Sequence, residues 1–363
     1  MKRIILYDYL LVRGGAENVS MLLAEHLVAD LCISFKDSVL FDETNFSSKR
    51  YQLMEIGKNH QSKLIRYLTA LHAFQHKTQF LANYDWALYS GACAPVAALN
   101  RTPGLHYYYC HALPSFAYEL YHRYKKSFSL TEGYLFDLFL LWYKPRYEKA
   151  LQQMDNVIAN SRYTQQNIKT FLGLEASVIY PPINTQHFNW LSQEPFYLST
   201  ARLEPFKHVD RIIDAFLQMP TKKLLIAGWG SEGPALKRKT GNAKNIEFLG
   251  WISPERMQDL VGRCTATVYL AENEAFGISP VESIAAGKPV IGSNDGGVTE
   301  TIIDGETGVL LERQAPIEEI CNAVNHLTSE RALTMRRSCE AQAQQFSQKV
   351  FLQAIKALPT AST

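Results

Sequence analysis

Glu274-Ala275-Phe276-Gly277-Ile278-Ser279-Pro280-Val281-Glu282 is the stretch that decides how this chain is organised. It follows a short apolar run at 266–271, ATVYLA, with the composition of a buried strand. Ser279 suits a helix N-cap and Pro280 the first helical position. Glu282 then falls third in the helix, where it can complete a capping box. That local role accounts for Glu282 and leaves Glu274 unexplained. A loop carboxylate between a strand and a helix N-terminus can accept sugar hydroxyls while the helix amides hold a phosphate.

The same strand-then-helix alternation runs outward in both directions, as in parallel α/β sheets. Strands are predicted near 3–9, 86–90, 105–110, 156–160 and 176–180, then near 196–201, 222–228, 246–249, 266–271, 289–293 and 307–311. Many are unbroken apolar blocks, which fits strands covered on both faces. Helix-like stretches include 207–218, 254–263 and 315–328. The proline pair in Tyr180-Pro181-Pro182 marks a boundary. It gives an N-terminal domain at 1–180, a second at 181–345, and a last helix within 346–363 that can cross back to the first. Two domains fit 363 residues, since domains hold roughly 100–200 each.

A net charge of +2 from 37 basic and 35 acidic residues gives no case for nucleic-acid binding. The six cysteines are scattered without metal-ligand spacing, as reduced residues of a cytoplasmic enzyme would be. The start, MKRIILYDYLL, contains Asp8 and runs into Gly14-Gly15, so it is predicted as a first buried strand rather than a leader. No apolar run approaches the roughly 20 residues of a spanning helix. Residues 107–147 are crowded with aromatic and basic side chains, among them Tyr118, Arg123, Lys126, Trp142 and Arg146. Such a region suits peripheral contact with a membrane; the alternative is a helix pair packed within its domain.

Three further places carry chemistry. Gly14-Gly15 lies between the first strand and a helical pattern, where backbone can approach an anion. His111 ends the strand LHYYYC, on the side where ligands of parallel sheets bind; the alternative is a structural histidine satisfied by a carbonyl. Arg202 and Lys207 flank a strand-to-helix loop and can clamp a diphosphate, unless Glu204 or Asp210 pairs with them on the surface. The dinucleotide fingerprint GxGxxG is missing, which disfavours an oxidoreductase.

Together these residues resemble the retaining glycosyltransferases of the family four group, over nearly the whole chain. Glu274 and Glu282 match the family's two glutamates separated by seven residues, Arg202 and Lys207 its basic pair, and His111 its N-domain histidine. Ala159-Asn160-Ser161, Tyr180-Pro181-Pro182 and Gly287-Lys288-Pro289-Val290 also look like it. The resemblance implies a GT-B fold, two Rossmann-like domains whose parallel sheets face a central cleft. It implies that Glu274 holds donor-sugar hydroxyls, Glu282 the nucleotide ribose, and Arg202 and Lys207 the leaving diphosphate. His111 would sit near the sugar. Gly14, Gly15, Gly228, Trp251, Ile252, Phe276, Gly277 and Ile278 would complete the donor contacts, with Trp251 and Ile252 near the base.

Bacterial surface-polysaccharide mannosyltransferases carry Tyr-Cys-His-Thr-Pro, then an aromatic-basic helix. Here Tyr109-Cys110-His111-Ala112-Leu113-Pro114 shifts the proline by one residue. The implied activity is transfer of a hexose, mannose from GDP-mannose favoured, to a lipid-linked saccharide, without cofactor or metal. No Asp-x-Asp metal motif is present. A UDP-sugar donor, an epimerase of the same fold, and a non-catalytic sugar-nucleotide-binding subunit are the alternatives.

Overall fold

The computed structural model describes residues 1–12, 14–41, 50–100 and 102–359. The chain divides into two compact units, Met1–Tyr180 together with the residues from Leu352 onward, and Pro181–Phe351.

In the first unit seven strands pair in parallel in the order β3-β2-β1-β4-β5-β6-β7. They are β1 (Arg3–Tyr7), β2 (Asp30–Ile33), β3 (Leu53–Glu55), β4 (Trp86–Ser90), β5 (Leu105–Cys110), β6 (Asn156–Ala159) and β7 (Ser177–Val178). Its helices are α1 (Gly15–Leu27), α2 (Lys63–His76), α3 (Tyr121–Lys126), α4 (Leu130–Leu151) and α5 (Arg162–Leu172). The sheet interior is unusually rich in tyrosine, and each hydroxyl needs a partner once buried. Tyr108 and Tyr147 share a hydrogen bond of 2.8 Å, Tyr143 donates to Ala92 O at 2.8 Å, and Tyr109 donates to Ile179 O at 2.9 Å. Ser129 and Glu132 form the capping box that starts α4.

The second unit has six strands, also all parallel, in the order β10-β9-β8-β11-β12-β13. They are β8 (Phe196–Ser199), β9 (Lys223–Ala227), β10 (Ile246–Gly250), β11 (Ala266–Tyr269), β12 (Val290–Ser293) and β13 (Gly308–Leu311). Its helices are α6 (Val209–Leu217), α7 (Gly233–Thr240), α8 (Pro254–Arg263), α9 (Ile278–Ala285), α10 (Val298–Thr301), α11 (Ile317–His326) and α12 (Ser329–Ala343). In α6 the apolar positions Val209, Ile212, Ile213 and Phe216 are all buried, the helical spacing that lays one face on a sheet. The last helix, α13 (Gln348–Lys356), begins in the second unit and ends in the first. The Tyr107 hydroxyl, on β5, donates to Pro359 O at 2.7 Å. Of the segment 346–363 singled out in the sequence, residues 360–363 lie outside the described residues.

In both sheets the chain builds one side and then reverses to build the other. The reversal falls between β1 and β4 in the first sheet and between β8 and β11 in the second. Open parallel sheets bind ligands at that point, beyond the carboxyl ends of the strands. Asp8, just past β1, secures the first reversal. Its carboxylate accepts from Ala92 N, Cys93 N and Ala94 N at 2.7, 2.7 and 2.8 Å, all just past β4. Gly91 holds φ +101 there, and a Cβ would fall 2.5 Å from the carboxylate.

Asp8→Ala strips three amides of their acceptor, two of them on buried residues. It should lower the unfolding free energy by about 3 kcal/mol. The urea midpoint should fall with the slope unchanged; an unshifted midpoint would show that the contact is dispensable.

Candidate active site

Both strands at the reversal of the second sheet end in charged loops. β8 runs into Ala201-Arg202-Leu203, then a single 3₁₀ turn, Pro205–Lys207. β11 runs into the loop that carries Glu274. Lys207 is 5% exposed. Its ammonium forms an ion pair with the Glu274 carboxylate and donates to the Tyr269 hydroxyl at 2.8 Å. That hydroxyl donates to Glu274 Oε2 at 2.7 Å. Lys207 Nζ also lies over the Phe206 and Tyr269 rings, 5.2 and 5.1 Å from their centroids.

Burial works against the ionised Glu274 carboxylate, but Lys207, Tyr269 and Arg202 outweigh it and hold its carboxyl below the ordinary range. Arg202 is exposed and has no ion pair of its own among the described residues. Glu204 is not its partner: that carboxylate accepts from Ser231 Oγ at 2.8 Å and Ser231 N at 3.2 Å. The predicted basic pair is therefore split. One cation is committed to Glu274, and the other faces solvent.

The loop around Glu274 is held by a turn that the sequence reading missed, Asp295-Gly296-Gly297, just past β12. Asn273 N donates to Asp295 Oδ2 at 2.6 Å, and Gly297 N to Glu274 O at 2.7 Å. A Cβ on Gly296 would lie 2.5 Å from Glu274 O, and one on Gly297 would lie 2.4 Å from Ala275 O. The signal was present in the sequence, an Asn-Asp-Gly-Gly directly after the apolar strand VIGS.

The capping expected at Ser279 is not what forms. The N-cap of α9 is Gly277, with φ 94 and no side-chain cap. Ser279 is thus the second helical residue and Pro280 the third. The left-handed conformation, cheap only for glycine, turns the chain into the helix two residues earlier than the Ser-Pro pair suggests. Glu282, now the fifth helical residue, caps nothing. It is half-buried without a hydrogen bond or ion pair among the described residues, and burial pushes its carboxyl up to about 7. Ile278 opens the helix whose amide end faces out of the loop. The Phe276 ring, by contrast, is buried at 2% exposure and packs on Phe346 at 5.3 Å. Only its backbone is left for a ligand.

Gly228 lets the loop after β9 run close to Ala201, whose oxygen would lie 2.4 Å from a Cβ there. Trp251 follows β10 and is 72% exposed, while Ile252 packs on the apolar core. Trp229, which the sequence reading did not pick out, follows the adjacent strand β9 and is 61% exposed.

In the first unit, Gly14 is the N-cap of α1 and Gly15 its first residue. The space at that helix start is taken by Glu17, whose Oε2 lies 2.6 Å from where a Gly14 Cβ would be. Glu17 bonds the Tyr7 hydroxyl and the Gly14 backbone, and burial raises its carboxyl. His111 follows β5, its carbonyl held by Asn160 Nδ2 at 2.8 Å. Its ring meets Tyr109 edge-on at 4.9 Å. His111 Nε2 is enclosed with no hydrogen-bond partner, so the carbonyl-satisfied structural role does not apply. Burial lowers the imidazole to about 4, keeping it neutral at pH 7. All six cysteines are free thiols. Among the described residues no group of three His, Cys, Asp or Glu side chains could hold a metal ion.

Residues 183–346 match the family described as Glycosyl transferases group 1. This segment is a group 1 glycosyl transferase domain. The match takes in Arg202, Lys207, Tyr269, Glu274, Glu282 and the 295–297 turn. The chain is also similar to the alpha-1,3/1,6-mannosyltransferase ALG2 of Dictyostelium discoideum, 30% identical over 48% of this chain and 53% of that protein. The human GDP-Man:Man(3)GlcNAc(2)-PP-Dol alpha-1,2-mannosyltransferase is 25% identical over 54% of this chain and 46% of that one. The chain spans about half the length of the curated relatives it matches. The fold is GT-B. The structure of Anabaena Alr3699/HepE in complex with UDP and glucose aligns at TM-score 0.73 and 20% identity over 98% of both chains.

Two outcomes follow for the group 1 domain. A carboxyl raised from 4.5 to about 7 adds stability that is complete below pH 4.5 and is lost as pH rises through 7. Glu282→Gln should therefore gain on wild type by up to about 3 kcal/mol between pH 5 and 8. Parallel thermal-melt curves for the two proteins would refute this. Gly297→Ala, by pushing on the Ala275 carbonyl, should displace the Glu274 loop and weaken ligand binding at least about ten-fold while most of the fold survives; calorimetry on the variant reads this.

Proposed function

We propose that this protein is a nucleotide-sugar-dependent hexosyltransferase that moves mannose from GDP-mannose to a lipid-linked saccharide. Its setting is bacterial cell-surface polysaccharide synthesis, in the cytoplasm at the inner face of the membrane. The observation that carries this is the Lys207–Tyr269–Glu274 cluster beside the uncommitted Arg202, at the ends of the strands flanking the reversal of the second sheet. The names of the relatives support mannose and GDP.

In the reaction, the anomeric C–O bond to the diphosphate breaks through an oxocarbenium-like state while the acceptor oxygen bonds the same carbon. The leaving diphosphate gains charge, and stabilising that charge is the largest available contribution. Arg202 and the amide end of α9 supply the positive field, with Lys207 contributing its remaining N–H. Glu274 is kept ionised by its neighbours and accepts donor-sugar hydroxyls. Glu282 has no hydrogen bond or ion pair among the described residues and takes the ribose hydroxyls. A departing phosphate oxygen accepts the acceptor's proton on the same face, so configuration is retained. No divalent ion or cofactor takes part.

A UDP-sugar is the second reading. Trp251 and Trp229 offer exposed ring faces, and either base can stack on them. A thermal-shift comparison of GDP-mannose with UDP-glucose separates the two, since a ligand binding only the folded state raises the melting temperature.

Arg202→Ala should cut kcat about 10²–10³-fold with an unchanged melting temperature, because the side chain is exposed. Lys207→Ala leaves Glu274 enclosed without its cation and should cost about 3–5 kcal/mol as well as activity. Chelator should leave turnover intact. Wild-type turnover by Arg202→Ala, or activity lost on chelation and restored by magnesium, would overturn this mechanism. Donor binding with no transfer to any acceptor would identify a non-catalytic subunit.

A further inference from the structure

The first unit carries an apolar surface that nothing in the proposed reaction uses. On α4, Leu130, Tyr134, Leu135, Leu138, Leu141 and Trp142 are 96%, 65%, 64%, 45%, 73% and 37% exposed. On α2, Leu64, Ile65 and Leu68 are 60%, 48% and 40% exposed. The two helices are joined by aromatic packing. Tyr67 of α2 meets Phe139 of α4 at 6.0 Å and Tyr143 at 6.0 Å, and Phe139 meets Trp142 at 6.2 Å. A continuous path of rings thus runs from the middle of α2 to an exposed indole on α4. The leucines of α2 flank Tyr67 within one turn on either side. Isolated exposed leucines are ordinary, but nine large apolar side chains on two adjoining helices are not.

The charge around this face is predominantly positive. Residues 58–77 contain Lys58, Lys63, Arg66 and Lys77 and no Asp or Glu. Residues 121–128 contain Arg123, Lys125 and Lys126, again with no acid. The three acids of α4 are engaged within the fold. Glu132 closes the capping box with Ser129, Asp137 pairs with Lys125 and accepts from the Tyr121 hydroxyl at 2.9 Å, and Glu148 accepts from the Tyr118 hydroxyl at 3.1 Å. No helix among the described residues is long and apolar enough to cross a membrane. Leucines and an indole that enter the acyl boundary, rimmed by cations at headgroup level, are what an interfacial helix presents. The clustered positive charge selects a negative bilayer.

We infer that α2 and α4 together form a docking surface for an anionic phospholipid bilayer. This rests on the proposed lipid-linked acceptor and extends it: the sequence pointed only to residues 107–147, whereas three of the nine apolar side chains come from α2. None of its residues belongs to the proposed catalytic machinery. Docking there brings the enzyme to an acceptor held in the same membrane.

The test uses the full chain and vesicles of phosphatidylcholine with or without phosphatidylglycerol. Co-sedimentation should be strong only with phosphatidylglycerol and should weaken as salt rises. Leu64→Ser/Leu68→Ser and Leu135→Ser/Leu138→Ser should each lower partitioning about ten-fold or more. The targets are exposed, so melting temperatures should not move. Quenching by bromolipids should diminish in Trp142→Phe. Transfer to a water-soluble acceptor analogue should be the same in wild type and variants. Equal binding to both vesicle types, or variants that bind like wild type, would overturn the surface while leaving the reaction standing. Self-association of wild type that the serine variants abolish would assign the face to a second copy instead. Vesicle binding as described, with no transfer from any nucleotide sugar, would keep the surface and remove the function.

Discussion

The second unit is organised by one charged contact, the Lys207 ammonium against the Glu274 carboxylate, with the Tyr269 hydroxyl bonded to both. Neither ion would be tolerated alone in so enclosed a place, because desolvation exceeds what water can restore. The pair therefore fixes two loops at once, one from each strand beside the reversal in the sheet. It also sets the character of the site. Arg202, left without a carboxylate, becomes the cation open to an incoming anion. Glu274, held ionised, can only accept hydrogen bonds.

Much of the fold was legible because buried parallel strands announce themselves as short apolar blocks. TrpAlaLeuTyrSer at 86–90 and LeuHisTyrTyrTyrCys at 105–110 fall where they were predicted. So do all six strands of the second sheet, to within a few residues at their ends. β2 and β3 were missed for a physical reason. AspLeuCysIle is four residues beginning with a charge, and LeuMetGlu is a half-buried edge strand ending with one. Neither has the length or the contrast with its flanks to stand out.

The candidate site divides in the same way. Arg202, Lys207, Glu274 and Glu282 stand out in the sequence because each sits near a junction where strand gives way to helix. Tyr269 looked like one more strand residue, and its role depends on a lysine 62 positions earlier. The Gly296–Gly297 support depends on an approach of backbone to backbone, for which side-chain identity gives only an indirect sign. The misplaced start of α9 has a related cause: Ser-Pro is a good local signal, and a glycine at φ 94 overrides it. Gly14-Gly15 was read as open to a ligand, yet the short reach of Glu17 back over the helix start fills that place.

The far end of the polypeptide, from Leu352 onward, belongs to the first unit, and its Pro359 carbonyl receives the Tyr107 hydroxyl. During vectorial synthesis Tyr107 leaves the ribosome 252 residues before Pro359, and its hydroxyl must wait for that carbonyl. Maturation of the first unit is thus tied to completion of the other. No single proteolytic cut between the halves would release both with all their own residues.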